Sequence, residues 1–134
     1  MKTFLYCILA CQLLLCGCHE SLEKRAWREA HEYTEKYCPT PVQNYVRTDS
    51  VVFDIPTRTY HYYCSVMNEL DDDKTFALNE AKIAESLASG LNENTNIRSY
   101  KNAGFSFAWT LRSGKDAKKV YLTKTLSPKD YNAQ

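Results

Sequence analysis

The chain has 134 residues, with 17 Lys and Arg against 16 Asp and Glu and a formal net charge of +1. So even a balance lacks the basic surplus of an electrostatic nucleic-acid binder and the basic clusters of a protein held on anionic lipid by charge. The length suits one domain with a real core and leaves no room for a second.

Residues 1–17 begin with one cation, Lys2, continue as an apolar run and end on the small Gly17, just before Cys18. That is the layout of a secretory signal peptide, too short for a mature membrane span. The end of the run, Leu15-Cys16-Gly17-Cys18, resembles the lipobox of bacterial lipoproteins, with Cys16 where Ala or Ser is more usual. The resemblance implies cleavage before Cys18 and acylation of its thiol, typically with palmitate-like chains. Residues 18–134 are then a single α+β domain, anchored by lipid at its first residue. Each buried methylene contributes about 0.8 kcal/mol, and two or more chains hold firmly where one holds reversibly. His19 and Glu20 follow the Cys, so the Asp associated with inner-membrane retention is absent, and the resemblance points to the outer membrane. The other reading is an ordinary signal peptide cut near Gly17, leaving a soluble secreted domain. Either cut removes only Lys2 from the charge count, leaving 16 basic and 16 acidic residues.

The mature part opens on a helix over residues 21–37. Leu22, Ala26, Ala30, Tyr33 and Tyr37 recur at spacings of three and four, Ser21 can cap the start, and Glu23 lies in the first turn where the helix dipole favours an acid. Cys38-Pro39-Thr40-Pro41 ends it, because proline cannot continue a helix. Two strands follow, at residues 51–55 and 60–67, joined by a hairpin loop at 56–59; both are rich in β-branched and aromatic residues. After the acidic turn Asp71-Asp72-Asp73, a second helix runs from Phe76 to Leu91 on the stripe Phe76, Ile83, Ala84, Leu87 and Leu91. Residues 105–112 alternate cleanly as a strand, residues 113–116 turn, and residues 120–123 return. The order is α-β-β-α-β-β. An antiparallel sheet of about four strands with both helices on one face buries both stripes most simply.

A second resemblance lies within this region. Cys38-Pro39, Arg47-Thr48-Asp49-Ser50-Val51 and Thr59-Tyr60-His61-Tyr62-Tyr63 together resemble a pattern in small exported bacterial proteins to which no activity is attached. It covers about a quarter of the mature chain and supports the fold alone.

Three cysteines leave with the leader and Cys18 takes lipid, so Cys38 and Cys64 remain as a pair in an oxidising compartment. A disulfide is the natural expectation, closing a 27-residue loop and contributing about 3 to 4 kcal/mol on the chain-entropy model. Two buried thiols or a metal site are the alternatives. A metal is disfavoured, since no His or Cys stands at ligand spacing.

Sites of chemistry are scarce. His31-Glu32-Tyr33-Thr34-Glu35 resembles the zinc-protease helix His-Glu-x-x-His but ends in Glu, which removes the second imidazole. Asp71-Asp72-Asp73 lacks the alternating acids and Gly of a calcium loop. No nucleophile elbow or phosphate loop is present, so no cofactor, metal or catalytic residue is expected. Alternation offers a better lead. If Cys64 faces the helices, Tyr60, Tyr62 and Val66 accompany it, and so do Phe105, Phe107, Trp109 and Leu111. His61, Tyr63, Ser65 and Met67 then face outward with Ser106, Ala108, Thr110 and Arg112. An outer face bearing His61, Tyr63, Met67, Arg112 and Tyr121 has the composition favoured at interfaces. The function expected is a small non-enzymatic envelope lipoprotein that binds another envelope protein. The alternatives are an inhibitor of a secreted enzyme, a structural envelope component, and a hydrolase built from scattered residues such as Asp49, Asp54 and His61.

Overall fold

The computed structural model describes residues 19–132; Cys18 and the leader lie outside the described residues. Helix α1 (Leu22–Tyr37) starts where Ser21 accepts a hydrogen bond from the Lys24 amide at 3.2 Å, and it closes at Cys38. Strands β1 (Val46–Asp54) and β2 (Thr59–Val66) form the first hairpin. Its loop is held by Asp54, whose side chain accepts from the Thr57 amide at 3.0 Å and from the Thr57 hydroxyl. A short 3-10 turn (Asn68–Leu70) leads to α2 (Asp73–Glu93), which Asp72 caps by accepting from the Thr75 amide. A second 3-10 turn (Thr95–Ile97) and the short α3 (Arg98–Asn102) follow. Strands β3 (Ser106–Ser113) and β4 (Val120–Leu126) make the second hairpin, and α4 (Pro128–Tyr131) ends the described chain.

The α+β class and the element order stand as expected, with short helices added. The sheet is corrected. Its order is β1-β2-β3-β4, and the central pair, β2 with β3, is parallel, from Thr59 beside Ser106 to Val66 beside Ser113. The reason is the crossover. A helix of 21 residues spans about 30 Å, enough to return the chain past an 8-residue strand to the end where β2 began. A strand entering there runs parallel to β2. Strand β1 also starts five residues before the apolar run at Val51, because Thr48, Arg47 and Val46 pair with Cys64, Ser65 and Val66 across a bulge near Asp49.

Both helices cover one face, α1 over β1 and α2 over β4. The core between them is uneven. At one end Phe53, Tyr60, Phe105 and Phe107 pack as an aromatic cluster with Tyr100 from α3 and Tyr131 from α4. Tyr60 donates to the Ala26 carbonyl at 3.0 Å, and Tyr131 to the Phe105 carbonyl at 2.7 Å, so these buried hydroxyls are satisfied. At the other end no such aromatic lid is present among the described residues: Val46 is half-buried, and Cys64 and Leu111 are buried beside an open hollow that they help to line.

Candidate functional site

On the outer face the expected residues separate. His61, Tyr63 and Arg112 do meet: the His61 and Tyr63 rings stack at 4.2 Å, and the Arg112 guanidinium lies 5.3 Å from the Tyr63 centroid. His61 Nε2 is 2.8 Å from the Thr110 hydroxyl. Burial, and then the charge of Arg112, lower the His61 pKa, which keeps the ring neutral. Met67 instead lies against Gly114, where a Cβ would fall 2.6 Å from its sulfur. Tyr121 is a correction. The register slips between Leu111 and Arg112, and this bulge turns Tyr121 to the helix side. There it stacks on Phe76 at 4.5 Å and donates to Asp71 at 2.9 Å. Ala108 and Thr110, expected outside, are nevertheless buried among their neighbours.

The scattered hydrolase constellation does not assemble. Asp49 accepts from Arg47 Nε at 2.7 Å and from the Ser65 hydroxyl at 2.5 Å. Asp54 serves the hairpin loop, and His61 faces Thr110. Among the described residues no three His, Cys, Asp or Glu are grouped so as to hold a metal.

The cysteines also depart from expectation: Cys38 and Cys64 are free thiols. Cys64 Sγ lies 3.9 Å from the Thr48 hydroxyl. Burial pushes the Cys64 thiol up to about 11 and raises that of Cys38, with Thr34 bonded to the latter opposing the rise. Disulfide formation starts from a thiolate, and neither group supplies one readily near neutral pH.

The unlidded end of the core opens as a groove of about 690 Å³. Cys64 and Leu111 floor it, Leu70, Ile83 and Leu87 form one wall, and Tyr45 and Val46 form the other. Glu69 and Lys82 stand among its lining residues. Beyond Gln43, which also lines a neighbouring hollow, come Tyr33 and Tyr37, both exposed. Of the apolar stripes expected from spacing, Ile83 and Leu87 pack half-buried against the core while also lining this groove, whereas Tyr33 and Tyr37 stay exposed. The helices are in fact more widely apolar than the sheet can cover. Tyr45 carries no sequence signal of its own, and only Asn44 beside it, a turn residue, marks this corner of the groove.

Comparisons with known proteins bear on the fold. The structure is similar to the pilotin EpsS of the Vibrio vulnificus type 2 secretion system, with a TM-score of 0.66 and 12% identity over 84% of this chain and 94% of that one. The type II secretion system pilotin AspS from Vibrio cholerae matches with a TM-score of 0.62 and 16% identity, over 81% and 91% of the two chains. A Pseudomonas aeruginosa protein thought to be secreted matches with a TM-score of 0.62 and 11% identity, over 84% and 98%. At these identities the likeness is one of fold. No curated protein matches the sequence. A family model covers most of the chain, residues 21–122, and by that match this protein belongs to the family described as Domain of unknown function (DUF8479).

Proposed function

We propose that this protein is a non-enzymatic accessory protein of the bacterial cell envelope, held to the outer membrane by lipid on Cys18, and that its groove receives an amphipathic helix of another envelope protein. The observation that carries this reading is the groove itself, an apolar trough left uncovered between α2 and the residue 43–46 turn. Its apolar walls beside polar Glu69 and Lys82 match a helix with one apolar stripe and charged flanks. Neither Glu69 nor Lys82 makes an ion pair among the described residues, so an acid opposite Lys82 and a base opposite Glu69 complement the site. Strand addition at the β1 edge is a poor alternative, because Thr34 and Thr40 already occupy the hydrogen-bonding groups of Val51 and Thr48 in its middle. The shared fold with type II secretion pilotins supports an accessory role, and the leader supports export and anchoring. The outer face is a weaker candidate, since its aromatic and basic groups chiefly satisfy one another.

The test is co-purification of the tagged full chain from solubilised native envelopes, wild type beside Ile83→Arg. An envelope protein recovered with wild type and reduced at least tenfold with Ile83→Arg, at an unchanged urea midpoint, is the expected result. Burying an unpaired cation in an apolar site costs several kcal/mol, so equal recovery would overturn the groove as the binding site. The mass of the mature N-terminus in the same preparation reports whether Cys18 carries lipid.

A further inference from the structure

The residue 43–46 turn carries a conformational oddity. Gln43 and Val46 exchange backbone hydrogen bonds at 2.9 Å each way, closing a two-residue loop whose central residues, Asn44 and Tyr45, have φ of 50° and 64°. Such a loop favours Asn-Gly, because both central positions lie in the left-handed region. Asn tolerates that region. A bulky aromatic there is a strained outlier, and such residues cluster at functional sites and persist where the surrounding structure holds them.

The backbone leaves Tyr45 no escape. Its carbonyl accepts from the Met67 amide at 2.8 Å, which ties the turn to the end of β2. Its ring repays nothing in kind, for it makes no hydrogen bond, ring stacking or cation contact among the described residues and is 48% exposed. Tyr45 lines the same groove as Ile83 and Leu87. A glycine would serve the turn better, so the side chain is what the position retains.

We infer that Tyr45 is a pre-positioned anchor, a ring presented at the groove by a fixed backbone to pack against the apolar face of the incoming helix. This inference rests on the groove reading and sharpens it. A pinned backbone with two side-chain torsions loses little freedom on binding, and buried tyrosines commonly dominate interface affinity.

The test uses the full chain in native membranes, with a benzophenone amino acid at position 79 on α2 as the probe and the yield of its principal photoadduct as the readout. Four backgrounds are compared: wild type, Tyr45→Phe, Tyr45→Gly and Ile83→Arg. Tyr45→Phe is expected to keep the yield, and Tyr45→Gly to cut it at least tenfold while holding or raising the urea midpoint. That pairing, a fold no weaker and binding lost, is not what a merely structural tyrosine produces. Wild-type yield in Tyr45→Gly, or a yield lost together with a clearly lowered midpoint, or loss in Tyr45→Phe, overturns the inference. If Ile83→Arg loses the adduct while Tyr45→Gly keeps it, the groove reading survives alone. If neither loses it, both fall.

Discussion

Asp71 ties the start of α2 to the second hairpin. It is 5% exposed. Its carboxylate accepts from the Tyr121 hydroxyl at 2.9 Å and the Lys115 amide at 3.0 Å, while its carbonyl accepts from Lys115 Nζ at 3.0 Å. Burial pushes its pKa up, but hydrogen bonds from Ser113, Tyr121 and the Lys115 amide, with the Lys115 charge, win and hold it below the ordinary range. A depressed folded pKa contributes stability that is present above the unfolded value, about 3.9, and lost as pH falls through the folded one. Asp71→Asn is therefore expected to lower stability by about 1–3 kcal/mol at pH 7, with the gap to wild type narrowing below about pH 4; urea melts across pH would show it. A constant gap would contradict this account. In sequence the three neighbouring aspartates look alike. Only the fold separates them, sending Asp71 inward, making Asp72 a cap and pairing Asp73 with Lys119. Tyr121 escaped prediction for a related reason: a bulge reverses the parity that alternation assumes.

Helix α1 shows how an element can guard a sheet. The Thr34 hydroxyl accepts from the Val51 amide and donates to the Val51 carbonyl, both at 2.8 Å. Thr40 does similar work at Thr48, where its hydroxyl accepts from the Thr48 amide and its amide donates to the Thr48 carbonyl. An uncovered edge strand invites pairing with another chain. Thr34→Val keeps the shape and removes the hydroxyl, leaving two backbone groups unanswered, so a loss of about 1–3 kcal/mol is expected, with a rise in light scattering on heating. Wild-type stability and scattering would show that the edge needs no such cover. The helix itself was legible from its spacing and its Ser21 cap. Its contact face was legible only in its first half: Leu22, Ala26 and Ala30 meet the core as their spacing implies, but polar Thr34 then takes the place of Tyr33 and Tyr37, which stay exposed. Hydropathy ranks tyrosine above threonine for burial, and the edge groups of β1 reverse that preference.

The whole molecule is a half-lidded sheet, aromatic and closed at one end, aliphatic and open at the other. Element order and fold class could be read from periodicity because each stripe and each alternation is local. The parallel pairing of β2 with β3 could not, since it depends on a helix long enough to carry the chain back across the sheet. The groove was hidden for a similar reason: Ile83 and Leu87 sit at core spacing and do pack against the core, and nothing local reveals that they also line an open hollow. The outer face, expected to bind, is instead occupied largely with its own stacking. These two faces make opposite claims on any partner, and one measurement separates them most directly. Benzophenone amino acids placed singly at position 86, on the groove, and at position 63, on the outer face, are photolysed in native membranes. The account predicts a defined adduct with an envelope protein from position 86 and none from position 63; an adduct from position 63 alone would contradict it.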